Sequence, residues 1–130
     1  MKKFLVITTI AKPNKCLKHI SKKSIKHNVK LIIVGDKKSP NNFYLKNSVF
    51  LNLKDQKKIN LSFPLICPVN SYARKNIGYL YAIKNGAKLI FETDDDNKIM
   101  DSFFNIKPLN YYVSQINNGN WVNIYNFFSD

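Results

Sequence analysis

The stretch FETDDDNK, residues 91–98, places Asp94, Asp95 and Asp96 side by side directly after an apolar run. Adjacent carboxylates repel, so a chain that holds three together needs a cation, a ligand or open water to offset them. Hard oxygen donors suit Mg2+ or Mn2+, which commonly share their coordination shell with phosphate oxygens. In an extended chain Asp94 and Asp96 share one side, so the D-x-D spacing predicts that these two close on one metal. A calcium loop of the EF-hand kind does not fit. Counted from Asp94, Lys98 takes a ligand position and Ile99 stands where the sharp turn needs glycine. A solvated turn is the competing reading of the run.

Two further polar groups end apolar runs: Thr8-Thr9 within FLVITTI (4–10), and Gly35-Asp36-Lys37 after KLIIV. Asp36 suits a hydrogen bond to a ribose or a base, or it caps a turn. Arg74 near the start of SYARKNIGYLYAIKN (71–85) suits a diphosphate, or an ion pair with an aspartate. Glu92 is expected to point away from the metal side and is assigned no catalysis; no general base is assigned.

These groups act together only if strands bring them to one rim. FLVITTI (4–10), KLIIVGD (30–36) and KLIFETD (88–94) are nearly continuous apolar runs rich in Val and Ile, and VFLNL (49–53) is a shorter one. Such runs predict strands buried on both faces. A helix is expected over about 14–27, with Leu17, Ile20 and Ile25 facing the core. Residues 36–47 read as loop. The clearest helix covers 71–85, capped by Asn70 or Ser71 and ended by Gly86 in the left-handed conformation. Its apolar ridge is Ala73, Ile77, Leu80 and Lys84, widened by Tyr81 and Ile83. Gly78 costs helix stability, which a close approach to the sheet or to a ligand would justify. Strand, helix, strand, helix, strand with short connections predicts an α/β fold with a mostly parallel sheet flanked by helices. In such a sheet ligands bind beyond the carboxyl ends of the strands, where Thr8, Thr9, Asp36, Lys37 and Asp94–Asp96 would meet. Residues 109–128, with an Asn-Gly turn, predict a C-terminal hairpin.

The 130 residues suit a single domain, and no internal repeat or linker divides them. The formal net charge is +13, from 21 Lys+Arg against 8 Asp+Glu, and Arg74 is the one arginine. A basic patch for nucleic acid or anionic substrates is one reading of this charge. The lysines scatter along the chain and no basic helix is expected, so lysine-rich composition is the preferred reading and nucleic acid is not an expected partner. A phosphate-bearing substrate fits either reading. Cys16 and Cys67 form no CxxC pair, and His19 and His27 are expected to face solvent, so zinc and a disulfide framework are not indicated. Free thiols suit a reducing compartment. The N-terminal apolar run is short, carries two threonines and has no small-residue cleavage site, so it reads as a strand rather than a signal peptide. No apolar stretch reaches the length of a membrane span. Together these features predict a cytoplasmic protein.

VITTI (6–10), VGDKKSP (34–40), residues 70–97 and WVNIYNFF (121–128) together resemble the STELLO-type glycosyltransferase-like family. The helix and the D-D-D run are also similar, more distantly, to the reversibly glycosylated polypeptides, the UDP-arabinopyranose mutases. The resemblance implies a GT-A fold whose Rossmann-like half binds a nucleotide sugar, UDP-sugar favoured, with Mn2+ or Mg2+. By position it implies that Thr8, Thr9 and Asp36 line the nucleoside pocket, that Arg74 approaches the base or diphosphate, and that Asp94 and Asp96 serve ribose and metal beside Asp95. GT-A enzymes are usually larger and carry the acceptor site in a second half. The chain stops soon after the donor half and lacks the anchor of the plant members, so a fragment, a split gene or a remnant is expected. The alternative function is a non-catalytic module that kept the fold to bind a partner. A haloacid-dehalogenase-type phosphotransferase is disfavoured, because its D-x-D would follow the first strand, which here ends in Thr8-Thr9.

Overall fold

The computed structural model describes residues 1–106. Its elements are β1 (Lys3–Thr8), α1 (Lys15–Lys26), β2 (Lys30–Val34), β3 (Ser48–Leu51), α2 (Leu53–Lys57), α3 (Phe63–Ile66), α4 (Lys75–Lys84) and β4 (Leu89–Glu92). Short 3-10 turns cover Tyr72–Arg74 and Asp101–Phe104. The expected C-terminal hairpin lies outside the described residues.

The four strands form one sheet in the order β3-β2-β1-β4, and every pairing is parallel. This is the Rossmann-like α/β arrangement. The side-chain period of two explains why the strands read as unbroken apolar runs. Leu5, Ile7, Leu31 and Ile33 face a core shared with Leu17 and Ile20 of α1. Phe4, Val6, Ile32 and Val34 face the opposite core, shared with Ile77 and Ala82 of α4. Both faces are covered, so neither face needs polar residues.

α1 begins where Asn14 Oδ1 accepts from Leu17 N at 2.8 Å, satisfying one of the free N–H groups of the first turn. Leu17, Ile20, Ser21 and Ser24 are buried, whereas Ile25 is exposed. The expected stripe is thus shifted: two small serines let α1 sit close to the chain beneath it. Contrary to the expectation of no basic helix, Lys15, Lys18, Lys22 and Lys26 line the exposed side of α1. His19 and His27 do not simply face solvent. His19 Nε2 lies 3.3 Å from Ile99 O, and the His27 ring packs on Phe104 at 5.2 Å.

The second long helix starts later than its sequence suggests. Ser71 Oγ accepts from Ala73 N at 3.2 Å, a 3-10 turn follows, and regular α-helix begins at Lys75. Its end is a Schellman motif: Gly86 N donates to Ile83 O at 2.9 Å, Ala87 N to Ala82 O at 3.0 Å, and Gly86 has φ +80°. Ile77, Gly78 and Ala82 are buried, but Ile83 is exposed, so the apolar face is narrower than expected and centres on Gly78.

Gly78 is where helix and sheet touch. A Cβ there would overlap Val6 Cγ1 and lie 2.8 Å from Val34 Cγ2. Overpacking of this kind costs about 1–3 kcal/mol, against about 1 kcal/mol that alanine gains as a helix former. Gly78→Val adds two methyl groups at the same contact and is expected to destabilise the domain by at least about 2 kcal/mol. Urea denaturation of Gly78→Val with an unchanged midpoint would contradict this packing.

Candidate functional site

The carboxyl ends of the strands open onto a cavity of about 420 Å3. It lies where β1 has β2 on one side and β4 on the other, the point at which the order of the sheet reverses and ligands bind in folds of this class. Four segments line it: Thr8 to Ile10 after β1, Val34 to Asp36 with Lys38 after β2, Asn70 to Tyr72 with Arg74 before α4, and Asp94 to Asp96 after β4.

The first two segments are stapled together by a serine. Ser39 Oγ donates to Thr9 O at 2.6 Å and accepts from Asp36 N at 2.8 Å. Asp36 begins a turn: its carbonyl accepts from Ser39 N at 2.9 Å and its Oδ1 from Lys37 N at 2.7 Å. Oδ2 of Asp36 makes no hydrogen bond among the described residues, so it is available as an acceptor in the cavity. Asp36 therefore both caps a turn and lines the cavity.

The aspartate segment is held from two sides. Thr9 Oγ1 donates to Asp95 Oδ2, and Asn14 Nδ2 donates to Asp95 O at 3.0 Å. Asn14 thus caps α1 and pins the loop at once. Cys16 Sγ approaches Asp96 O at 3.3 Å. On the other side Lys75 Nζ pairs with Asp94 Oδ1 at 2.8 Å and lies 3.8 Å from Glu92 Oε1. Strand β4 ends at Glu92, and Asp95 and Asp96 form a turn in which Asn97 N lies 3.4 Å from Asp94 O. Asp94 and Asp96 therefore do not share a side of an extended strand, as their spacing suggested. They flank Asp95 across a bend and still border one cavity. Glu92 and Asp94 share Lys75, so Glu92 lies on the same side as Asp94, against expectation.

Arg74 is 2% exposed. Its Nε and one terminal nitrogen donate to Gln56 Oε1 at 3.0 and 2.6 Å, and the other terminal nitrogen to Cys67 O at 2.9 Å and Pro68 O at 3.0 Å. Gln56 is itself buried and donates to Gly35 O and Leu51 O, both at 2.7 Å. The arginine thus ties the start of α4, through Gln56, to the ends of β2 and β3. Among the described residues all its partners are neutral oxygens, and no carboxylate pairs with it. It adds a positive charge to the wall of a cavity that aspartates also border.

No protein-family model matches the chain. Over 99 residues it is 34% identical to an Arabidopsis thaliana protein named "Probable glycosyltransferase STELLO2". Its match to "Probable glycosyltransferase STELLO1" of the same plant is 31% identical over 99 residues. Over that stretch the chain is STELLO-like and related to glycosyltransferases. Each match takes in 76% of this chain and 12% of the relative, so the chain spans a small part of the length of these two proteins.

In this STELLO-like domain the cavity brings together Thr8, Thr9, Asp36, Arg74, Asp94, Asp95 and Asp96. Lys37 is not among them: it lies on the exposed side of the Asp36 turn, and Lys38 borders the cavity instead. Arg74 is present as a wall, with its donors turned to Gln56 and the 67–68 carbonyls rather than to an aspartate. Sequence reasoning missed Lys38, Tyr72, Lys75 and Gln56. Tyr72 is 89% exposed at the edge of the cavity and sits directly after the Asn-Ser cap signal. Lys75, one residue past Arg74, could have been found as the next cation on the helix.

Among the described residues no three His, Cys, Asp or Glu side chains are grouped so as to hold a metal by themselves. The donor set fits a shared shell instead. Asp94 Oδ2 and both Asp96 oxygens make no hydrogen bond among the described residues, and all are hard oxygen donors of the kind Mg2+ and Mn2+ take. Four aspartates border the cavity, Asp36 and Asp94 to Asp96. A diphosphate entering it meets that negative charge directly unless a cation comes with it. No helix among the described residues is long and apolar enough to cross a membrane.

Proposed function

We propose that this domain binds a nucleoside-diphosphate sugar, a UDP-sugar by preference, together with Mn2+ or Mg2+, as the donor site of a glycosyltransferase. The observation that carries this reading is the meeting of Asp36, Asp94–Asp96 and the buried Arg74 around one cavity at the reversal point of a parallel sheet. The similarity to two proteins named as probable glycosyltransferases supports it.

Each residue then has a role that its position permits. Asp36 accepts a hydrogen bond from the base or ribose. Arg74 contributes positive potential behind the phosphates, and Lys38 adds a cation at the rim. Asp94 and Asp96 would hold the metal through carboxylate oxygens, with Asp95 fixed by Thr9 so that the turn keeps its shape. When bound, the metal would offset the charge of the diphosphate and stabilise it as a leaving group. Among the described residues the lining holds no histidine and no glutamate. On this reading the described residues bind the donor, and no acceptor site and no general base are assigned.

Asp36→Ala is expected to weaken UDP binding by about tenfold, the scale of one lost hydrogen bond to a charged group. Stability should stay within about 0.5 kcal/mol, because a partly exposed turn residue is removed. Calorimetric titration of UDP in the presence of Mn2+ checks the affinity, and urea denaturation checks the stability. Equal affinity in wild type and variant would remove Asp36 from the site, and no UDP binding by the wild type would defeat the proposal.

A further inference from the structure

The ammonium of Lys75 stands at the point where two acids converge. Lys75 is the first residue of α4, and its side chain is 14% exposed although it carries a charge. Nζ lies 2.8 Å from Asp94 Oδ1 and 3.8 Å from Glu92 Oε1. Tyr79, one helical turn on, donates its hydroxyl to Glu92 from the same helix. Burial first, and then the hydrogen bond and charge of Glu92, raise the pKa of Tyr79, so it remains a donor. Glu92 is thereby anchored, and Lys75 is left with Asp94 as its nearest partner.

We propose that Lys75 is a built-in competitor for the metal: its ammonium and a divalent cation contest the same Asp94 carboxylate. The inference rests on the reading that Asp94 and Asp96 take the metal. A divalent ion at Asp94 must displace a partly buried ammonium or sit close to it, and at this range like charges repel strongly. A diphosphate brings negative charge that offsets both cations, and it offers Lys75 new oxygens once Asp94 turns to the metal. Lys75 therefore makes metal binding depend on the donor. It is a positioning residue for Asp94, and it keeps the aspartate turn from loading with metal alone.

The test is a titration of Mn2+ followed by electron paramagnetic resonance, with and without UDP, on wild type, Lys75→Met and Lys75→Arg. Without UDP, Lys75→Met is expected to bind Mn2+ at least about fivefold more tightly than wild type. Lys75→Arg keeps the cation and should stay near the wild-type value. The factor by which UDP strengthens Mn2+ binding should shrink in Lys75→Met. A lysine with only a structural role would leave Mn2+ affinity unchanged or lower it, and either result in a folded Lys75→Met overturns the proposal. Circular dichroism verifies folding, and Lys75→Gln replaces the methionine variant if that one does not fold. If wild type binds Mn2+ in the presence of UDP but Lys75→Met behaves identically, only the role of Lys75 falls. If no form binds Mn2+ even with saturating UDP, the metal reading of the aspartates falls and this inference falls with it.

Discussion

Arg74→Ala is expected to destabilise the domain by about 2–5 kcal/mol, because it strips the donors from buried acceptors that cost about 1–3 kcal/mol each when left unpaired. The guanidinium is 2% exposed and makes four hydrogen bonds to protein oxygens. Alanine would leave Gln56 Oε1 and the Cys67 carbonyl buried without those donors, each a loss of about 1–3 kcal/mol, whereas the part-buried Pro68 carbonyl can turn to water. Natural domains are stable by about 5–15 kcal/mol, so the variant would stand near the limit of folding. Arg74→Lys should rescue little. A single ammonium cannot span Gln56 on one side and the 67–68 carbonyls on the other, as the planar fork does. Urea denaturation of both variants checks this. A loss below about 1 kcal/mol in Arg74→Ala would mean that the network contributes little to stability.

The same residue shows where sequence reasoning reaches its limit. An arginine near three aspartates and a helix start is legible as a member of a phosphate site. Its hydrogen-bond partners are not, because Gln56 lies in α2, a five-residue helix too short to show an apolar period, and meets Arg74 only through the fold. The strands were legible for a clear reason: Phe4 to Ile7 and Leu31 to Val34 are buried on both sheet faces, and only an unbroken apolar run satisfies both. Their ends were not. Thr9 and Ile10 continue the residue types of a strand, but pairing ends a strand, and here the chains part to open the cavity. The aspartate run shows the same difference. Its chemistry can be read from residue types, whereas the turn at Asp95-Asp96 depends on Thr9 and Asn14, some eighty residues upstream. The contact between Gly78 and the sheet was half legible, since a glycine inside a helix asks for a close neighbour, and Val6 and Val34 supply it.

Metal and nucleotide are expected to bind this domain as a pair. The described residues offer two carboxylates to a divalent ion, one of them engaged by Lys75, so metal alone should bind weakly. UDP supplies phosphate oxygens that complete the shell. Coupling between two ligands is reciprocal, so Mn2+ should strengthen UDP binding by the same factor by which UDP strengthens Mn2+ binding, on the order of 5–150-fold. Asp96→Asn preserves the shape of the turn and removes one negative charge, and most of the coupling should disappear with it.

The most direct test is calorimetric titration of UDP into wild type and Asp96→Asn, each with Mn2+ and with EDTA. The account predicts that Mn2+ strengthens UDP binding at least about tenfold in the wild type and by less than about twofold in Asp96→Asn. Equal UDP affinity with and without metal in the wild type would contradict it, and the three aspartates would then be a solvated turn.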